Sequence, residues 1–522
     1  VVESVGAKLR RNTRASMLAW AWGQGIFFIR MPLFIGVLGT EHYGLWMLAF
    51  AIMSYFELNN FGINTAFINY TAEYHAKKDY EGLGHMLGTG MIAAYGISIA
   101  GMLILLTFTT PIIQFFRLEA PENIVAARFV VIGVGFTTAL KIAFGVYRAV
   151  LTGLQRIDIV NGWHVFFVTL ELVLAALLFW MGYGIFGLVW TYLFSTVGMT
   201  IAFYFSVRRH LPELRITPFL AKRHCARSMV RLGGSMQLLG AVALIVATID
   251  NIVLTRYEGL AFFGAYVVAK RFATRAQSAA LQGVGALIPA SADLIARRDF
   301  AKLGHVYATA MRLLCAGLAY LFGFIYINGD YCMLLFMGDQ YDPLSTVALE
   351  WLTIAVAVHT LTGPGSSMLR GAGRPQREII YQIITLVAFL AFFYLGQRWG
   401  DERLVILSYA AGLSLGSLIF LVMSNPYFRS PFSTHIFRMA LLSAAGPAMA
   451  WALREMLPLP GVAEASRWDA LALIVLMGVP YTALFSVATW FLPGLTRSDR
   501  EQLVKFIPGG QRVMAKWLAR GA

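Results

Sequence analysis

The chain has 522 residues, 58% of them hydrophobic and only 13% charged, and its mean hydropathy is +0.66. A soluble domain carries roughly twice that share of charge, so this chain cannot clothe its own surface in polar groups and its solvent has to be lipid. The net charge of +15 would suit a nucleic-acid partner, but its distribution along the chain excludes that reading.

A helix that crosses a bilayer needs about 20 mostly apolar residues. Runs of this kind predict an all-α integral membrane protein of about fourteen spans. They lie near 16–38, 43–67, 85–108, 124–147, 157–181 and 184–206, then 229–254, 259–288, 304–327, 345–367, 378–396, 403–423, 434–453 and 470–492. Only short loops separate them. The first apolar run is too long for a signal peptide, so none is expected. At the other end, Arg512, Lys516 and Arg520 alternate with Val513, Met514, Trp517 and Leu518. That pattern predicts a short amphipathic helix in the membrane interface.

Lys and Arg in short loops mark the cytoplasmic side. With the N-terminus inside, the inside segments hold 28 such residues and the outside loops only Arg117, Arg256, Arg398, Arg403, Arg454 and Arg467. A missed early span would destroy that bias. Both termini are therefore expected in the cytoplasm, with the positive charge facing anionic headgroups.

No HExxH, Walker A or GxSxG occurs, and Cys225, Cys315 and Cys332 form no CxxC pair. These absences argue against an enzyme, a cofactor site or a zinc site.

The chain also repeats itself. Residues 71–83, TAEYHAKKDYEGL, align with 291–303, SADLIARRDFAKL, at an offset of 220. The same offset pairs Gly39 with Gly259, Gly44 with Gly264 and Arg30 with Asp250, and LTGLQR (151–156) aligns with LRGAGR (369–374) at 218. Two copies of a six-span unit follow: an N-lobe over 1–206 and a C-lobe over 229–423, joined by a basic linker at 207–228. Two added spans occupy 424–495 and a cytoplasmic tail 496–522. An even number of spans per copy gives a parallel repeat, a plan of transporters that bind substrate between their halves.

A charge at mid-bilayer costs about 2.5–3.5 kcal/mol on insertion scales, so each one needs a reason. The candidates are Arg30, Glu57, Lys141, Glu171, Asp250, Lys270, Arg271 and Arg275. Glu57, Asn60 and Asn64 share one helical face, and Arg271 and Arg275 lie one turn apart. Two neighbouring cations at that depth suit a hydrated cavity that takes an anion such as phosphate. Structural pairs, Arg30 with Asp250 or Glu57 with Arg271, are the plainer alternative. Lys141 is assigned to the cavity or to coupling, although it and Arg312 lie close enough to the cytoplasmic ends to snorkel. Glu171 is open between interhelical hydrogen bonding and function; His164 and His359 read as packing or interface residues.

Five stretches carry a family resemblance: RMPLFIGVLGTEHYGLWMLAF (30–50), INYTAEYHAKKDYEGLGHMLGTG (68–90), YRAVLTGLQRIDIVN (147–161), TIDNIVLTRYEGLAFFGAYVVAKRF (248–272) and LIPASADLIARRDFAKL (287–303). Together they resemble the polysaccharide (O-antigen and exopolysaccharide type) flippases of the multidrug/oligosaccharidyl-lipid/polysaccharide exporter superfamily. The resemblance spans about 15–425 and rests on pattern rather than on an invariant signature. It implies two lobes, alternating access and a polyprenyl-pyrophosphate-linked oligosaccharide carried across a bacterial inner membrane. On that reading Arg30, Lys270, Arg271 and Arg275 bind the anionic headgroup, while Glu57, Asn60, Asn64, Asp250 and Lys141 shape the cavity or couple to Na⁺ or H⁺. The partners implied are the lipid-linked glycan, membrane lipids and other glycan polymerisation or export proteins. A cation-coupled multidrug antiporter of the same superfamily and a peptidoglycan-precursor flippase are the alternatives.

Overall fold

Backbone groups in hydrocarbon have no water to bond to, so a spanning segment must satisfy them within itself. Among the described residues every regular element is accordingly a helix. The computed structural model describes residues 5–58, 61–118, 121–374, 376–428, 432–457 and 460–491. The amphipathic tail expected after 496 and the site candidate Asn60 lie outside them.

The first part of the chain runs α1 (Val5–Leu58), α2 (Phe61–Lys77), α3 (Tyr80–Phe115), α4 (Pro121–Ala143), α5 (Val146–Gly153), α6 (Ile157–Trp180) and α7 (Gly184–His210). It continues through α8 (Arg223–Ala280), α9 (Leu287–Ala296), α10 (Phe300–Ile327), α11 (Gly329–Met337), α12 (Pro343–Thr360) and α13 (Thr362–Gly371). The last elements are α14 (Arg377–Trp399), α15 (Glu402–Ser424), α16 (Phe432–Met456) and α17 (Arg467–Phe491). Among the described residues, 11 helical stretches are long and apolar enough to cross a membrane, which makes the chain a multi-pass membrane protein. Two of them, Arg11–Leu58 and Gly240–Ala280, each hold two helices joined at a kink, an arrangement compatible with the fourteen spans expected.

Those kinks make the repeat visible in the backbone. Gly39 sits at φ 72, ψ 172 and Gly259 at φ 89, ψ 176, a region open in practice only to glycine. Lys78 and Arg298, also equivalents, both enter the left-handed region, at φ 57 and 56. The next residues, Asp79 and Asp299, both cap a helix, accepting from Gly82 N at 2.8 Å and Lys302 N at 3.0 Å. The 218-offset pair behaves alike. Gln155 and Gly373 take φ 57 and 69, while Arg156 N donates to Leu151 O and Arg374 N to Leu369 O, both at 2.9 Å. These are Schellman endings, in which the left-handed residue lets the chain cover the helix's last carbonyls.

The repeat copies also meet. A Cβ on Gly44 would strike the carbonyl of Leu260, and one on Gly264 would strike that of Thr40. Thr40 and Leu260 are themselves equivalents, so the contact is reciprocal, as a two-fold relation between copies requires.

The chain separates into two compact units, 1–267 and 268–522. In the first, Phe67, Leu83, Leu87, Val150 and Leu151 pack with residues of α6 and α7. In the second, Leu303, Leu369, Tyr381, Phe420 and Phe428 form the corresponding core. Leu83 with Leu303, and Leu151 with Leu369, are repeat equivalents, so the two cores share these positions.

Candidate functional site

Within the first unit, four of the deep charges resolve into two ion pairs. Arg30 of α1 lies 3.3 Å from Glu171 of α6, with its guanidinium 5.3 Å from the Phe34 ring. Lys141 of α4 lies 2.7 Å from Glu57 of α1. Glu171 is buried, and Ser195 of α7 stands beside it. Tyr192, one helical turn before Ser195, interacts electrostatically with Glu57, Lys141 and Glu171, and its ring packs on Trp46 and Phe50. The result is one neutral cluster of alternating charge contributed by α1, α4, α6 and α7.

Two further polar groups extend the site. Asn64 has its Oδ1 buried with no hydrogen-bond partner, 3.2 Å from where a Cβ on Gly145 would lie. Glu57 and Asn64 thus turn toward the same stretch, the end of α4 and the turn after it. Asp250 is fully buried on α8 and accepts a hydrogen bond of 2.7 Å from the Tyr266 hydroxyl. Close by, Thr248 Oγ1 donates to the Tyr55 hydroxyl at 2.7 Å.

In the second unit the remaining cations lie on the final turns of α8. Lys270 places its ammonium 4.8 Å from the Tyr409 ring, a cation–π contact. Arg271 is half-buried and Arg275, one turn on, is exposed. The two arginines therefore keep to one stripe of the helix, as their spacing requires.

Residues 9–295 match the family described as polysaccharide biosynthesis protein. The chain belongs to that family. A succinoglycan biosynthesis transport protein, ExoT of Rhizobium meliloti (strain 1021), is 23% identical over 390 residues, which are 74% of each chain. Among solved structures, the lipid II flippase MurJ in an inward closed conformation matches with a TM-score of 0.72 at 13% identity, over 92% of this chain and 98% of its own. An inward-facing multidrug resistance MATE family transporter of the MOP superfamily matches with a TM-score of 0.59 at 16% identity, over 85% and 97%. At such identities the likeness is one of fold.

The ion pairs differ from the examples the sequence suggested. Arg30 pairs with Glu171 rather than Asp250, and Glu57 pairs with Lys141 rather than Arg271. Lys141 is held by a carboxylate, that of Glu57. Arg312 is buried where α10 packs on α12 and α16, and its guanidinium donates to Thr309 Oγ1 at 3.0 Å. His359 is a packing residue, with Nδ1 3.0 Å from Ser417 Oγ. His164, by contrast, is exposed on α6.

Sequence reasoning overlooked Tyr192, which nothing in its apolar surroundings sets apart. It also overlooked the bidentate pair of Arg370 with the buried Glu378, at 2.8 and 2.7 Å. A signal for that pair existed. Like Asp158, which is held by Arg156 at 3.2 Å and Arg11 at 3.5 Å, Glu378 is an acidic residue shortly after the LTGLQR/LRGAGR stretch of its repeat copy.

Proposed function

We propose that this protein flips a lipid-linked oligosaccharide, a polyprenyl-pyrophosphate-borne polysaccharide precursor, across the bacterial cytoplasmic membrane by alternating access. The observation that carries the reading is the match of 9–295 to a polysaccharide biosynthesis family. The likeness to a succinoglycan transport protein and the fold shared with a lipid II flippase support it. Lys270, Arg271 and Arg275 supply the headgroup's counter-charge, because Arg forks suit the oxygens of a pyrophosphate. Arg30 is already held by Glu171, so its part is to position the cluster rather than to grip the substrate first. Glu57, Asn64, Asp250 and Lys141 shape the polar wall. Both termini face the cytoplasm, following the bias of basic residues. Other proteins of glycan polymerisation or export receive the product outside.

The MATE likeness favours a second reading, a cation-coupled antiporter. Such a transporter needs carboxylates available to a cation, yet two of the three deep ones, Glu57 and Glu171, are each paired with a basic partner. The first reading is therefore preferred.

Reconstitution decides between them. Proteoliposomes holding the intact chain should expose an inner-leaflet lipid-linked oligosaccharide to an added glycosidase, and Arg271→Ala should slow that exposure about tenfold, the loss of one charge-assisted contact. Unchanged exposure with and without the protein would contradict the proposal.

A further inference from the structure

The furrow between α4 and α7 carries a feature the transport reading does not use. One face of α4 (Ile124, Arg128, Ile132, Phe136) and one face of α7 (Val189, Trp190, Leu193) line an apolar groove of about 690 Å³. Gly133 keeps it open at mid-length, since a Cβ there would strike Val189. From Ile124 to Phe136 the helix rises about 18 Å, close to the depth of one bilayer leaflet. Arg128 stands near the upper end of this groove, about 10 Å from the start of α4. It is exposed, on a face where Val125, Phe136 and Trp190 are exposed too, and among the described residues it has no carboxylate partner.

A cation facing hydrocarbon with no protein partner is costly unless it reaches the phosphate layer. The same seam continues as a second apolar groove of about 320 Å³, lined by Leu140, Phe144, Val197, Ile201 and Tyr204. That groove also ends on a cation. Arg208 lies 5.7 Å from the Tyr204 ring, and its Nε donates to the Tyr204 hydroxyl at 3.3 Å. Positive ends separated by an apolar furrow complement the two anionic phosphate layers of a bilayer.

We infer that the upper half of this seam is a binding site for a glycerophospholipid of the surrounding membrane. Its phosphodiester sits on Arg128 and one acyl chain lies down the furrow past Ile132 to Phe136. On the topology proposed above this lipid belongs to the extracytoplasmic leaflet. The site is distinct from the substrate's, and the inference does not rest on what the protein transports.

Native mass spectrometry of the full-length protein tests it, with three probes added to delipidated protein: phosphatidylglycerol, dioleoylglycerol and a polyprenyl phosphate. The intact chain should retain one phosphatidylglycerol about tenfold more tightly than dioleoylglycerol, which lacks the phosphate. Arg128→Ala should abolish that preference, Arg128→Lys should keep part of it, and Ile132→Trp should lower retention of both diacyl lipids by filling the furrow. These positions face lipid, so the variants should elute as the intact protein does. Equal retention of phosphatidylglycerol by the intact chain and both disruptive variants would overturn the inference. So would tighter retention of the polyprenyl phosphate, which would make the furrow a path for the carrier's tail.

Discussion

Glu171 is a carboxylate buried among apolar helices, and Arg30 is the ion partner that makes its charge tolerable. Removing one member of such a pair strands the other, whereas replacing both with apolar residues removes the desolvation penalty too. Arg30→Ala should therefore destabilise the protein by about 3 kcal/mol, while Arg30→Met with Glu171→Leu should regain most of that. Thermal unfolding in detergent checks both variants. For Lys141 and Glu57 the side chains are half-buried, so the coupling is smaller. A double-mutant cycle with the reversed pair Lys141→Glu and Glu57→Lys should show recovery of about 1 kcal/mol over the single variants. The sequence singled out all four residues, because a charge inside an apolar run is conspicuous whatever surrounds it. It could not match them, since helical spacing shows which residues share a face but not what that face meets. Tyr192 escaped for a related reason: a tyrosine among aromatics looks like packing until its hydroxyl is seen beside three charges.

Helix ends were more legible than helix partners. The offset of 220 already paired Gly39 with Gly259 and Asp79 with Asp299, and the backbone repeats the same dihedral angles and caps at both members. Local geometry follows local sequence because a cap or a left-handed turn is decided within a few residues. Two predictions of opposite sign follow from this. Gly39→Ala and Gly259→Ala should each lower stability by about 1–3 kcal/mol, because alanine cannot hold a φ near those values without strain. Lys78→Gly and Arg298→Gly should each raise it by up to about 1 kcal/mol, relieving a left-handed residue that carries a side chain. Melting temperatures of the four variants, measured side by side, check this. The basic residues are kept at both turns despite that strain, which fits their role as orientation charge in the proposed topology. Interhelix contacts such as the meeting of Gly44 with Leu260 were beyond the sequence, although the repeat marked both glycines.

At the scale of the molecule, composition alone excluded a soluble fold, and the resemblance named the family that 9–295 matches. The parallel repeat was legible because both copies keep the same turn residues. What was not legible is where the cations lead. Arg271 and Arg275 lie on the last turns of α8, one half-buried and one exposed, while Arg30 with Glu171 and Lys141 with Glu57 form ion pairs in the first unit. The proposal that an anionic headgroup is held near these residues rests on their charge and spacing on α8. The measurement that tests this account most directly is the sidedness of lipid-linked oligosaccharide in host cells lacking the protein, complemented by the intact chain or by Arg271→Ala with Arg275→Ala. The account requires the intermediate to accumulate on the cytoplasmic face without the protein, to clear with the intact chain and to persist with the double variant. Sidedness that is the same with and without the protein would contradict it.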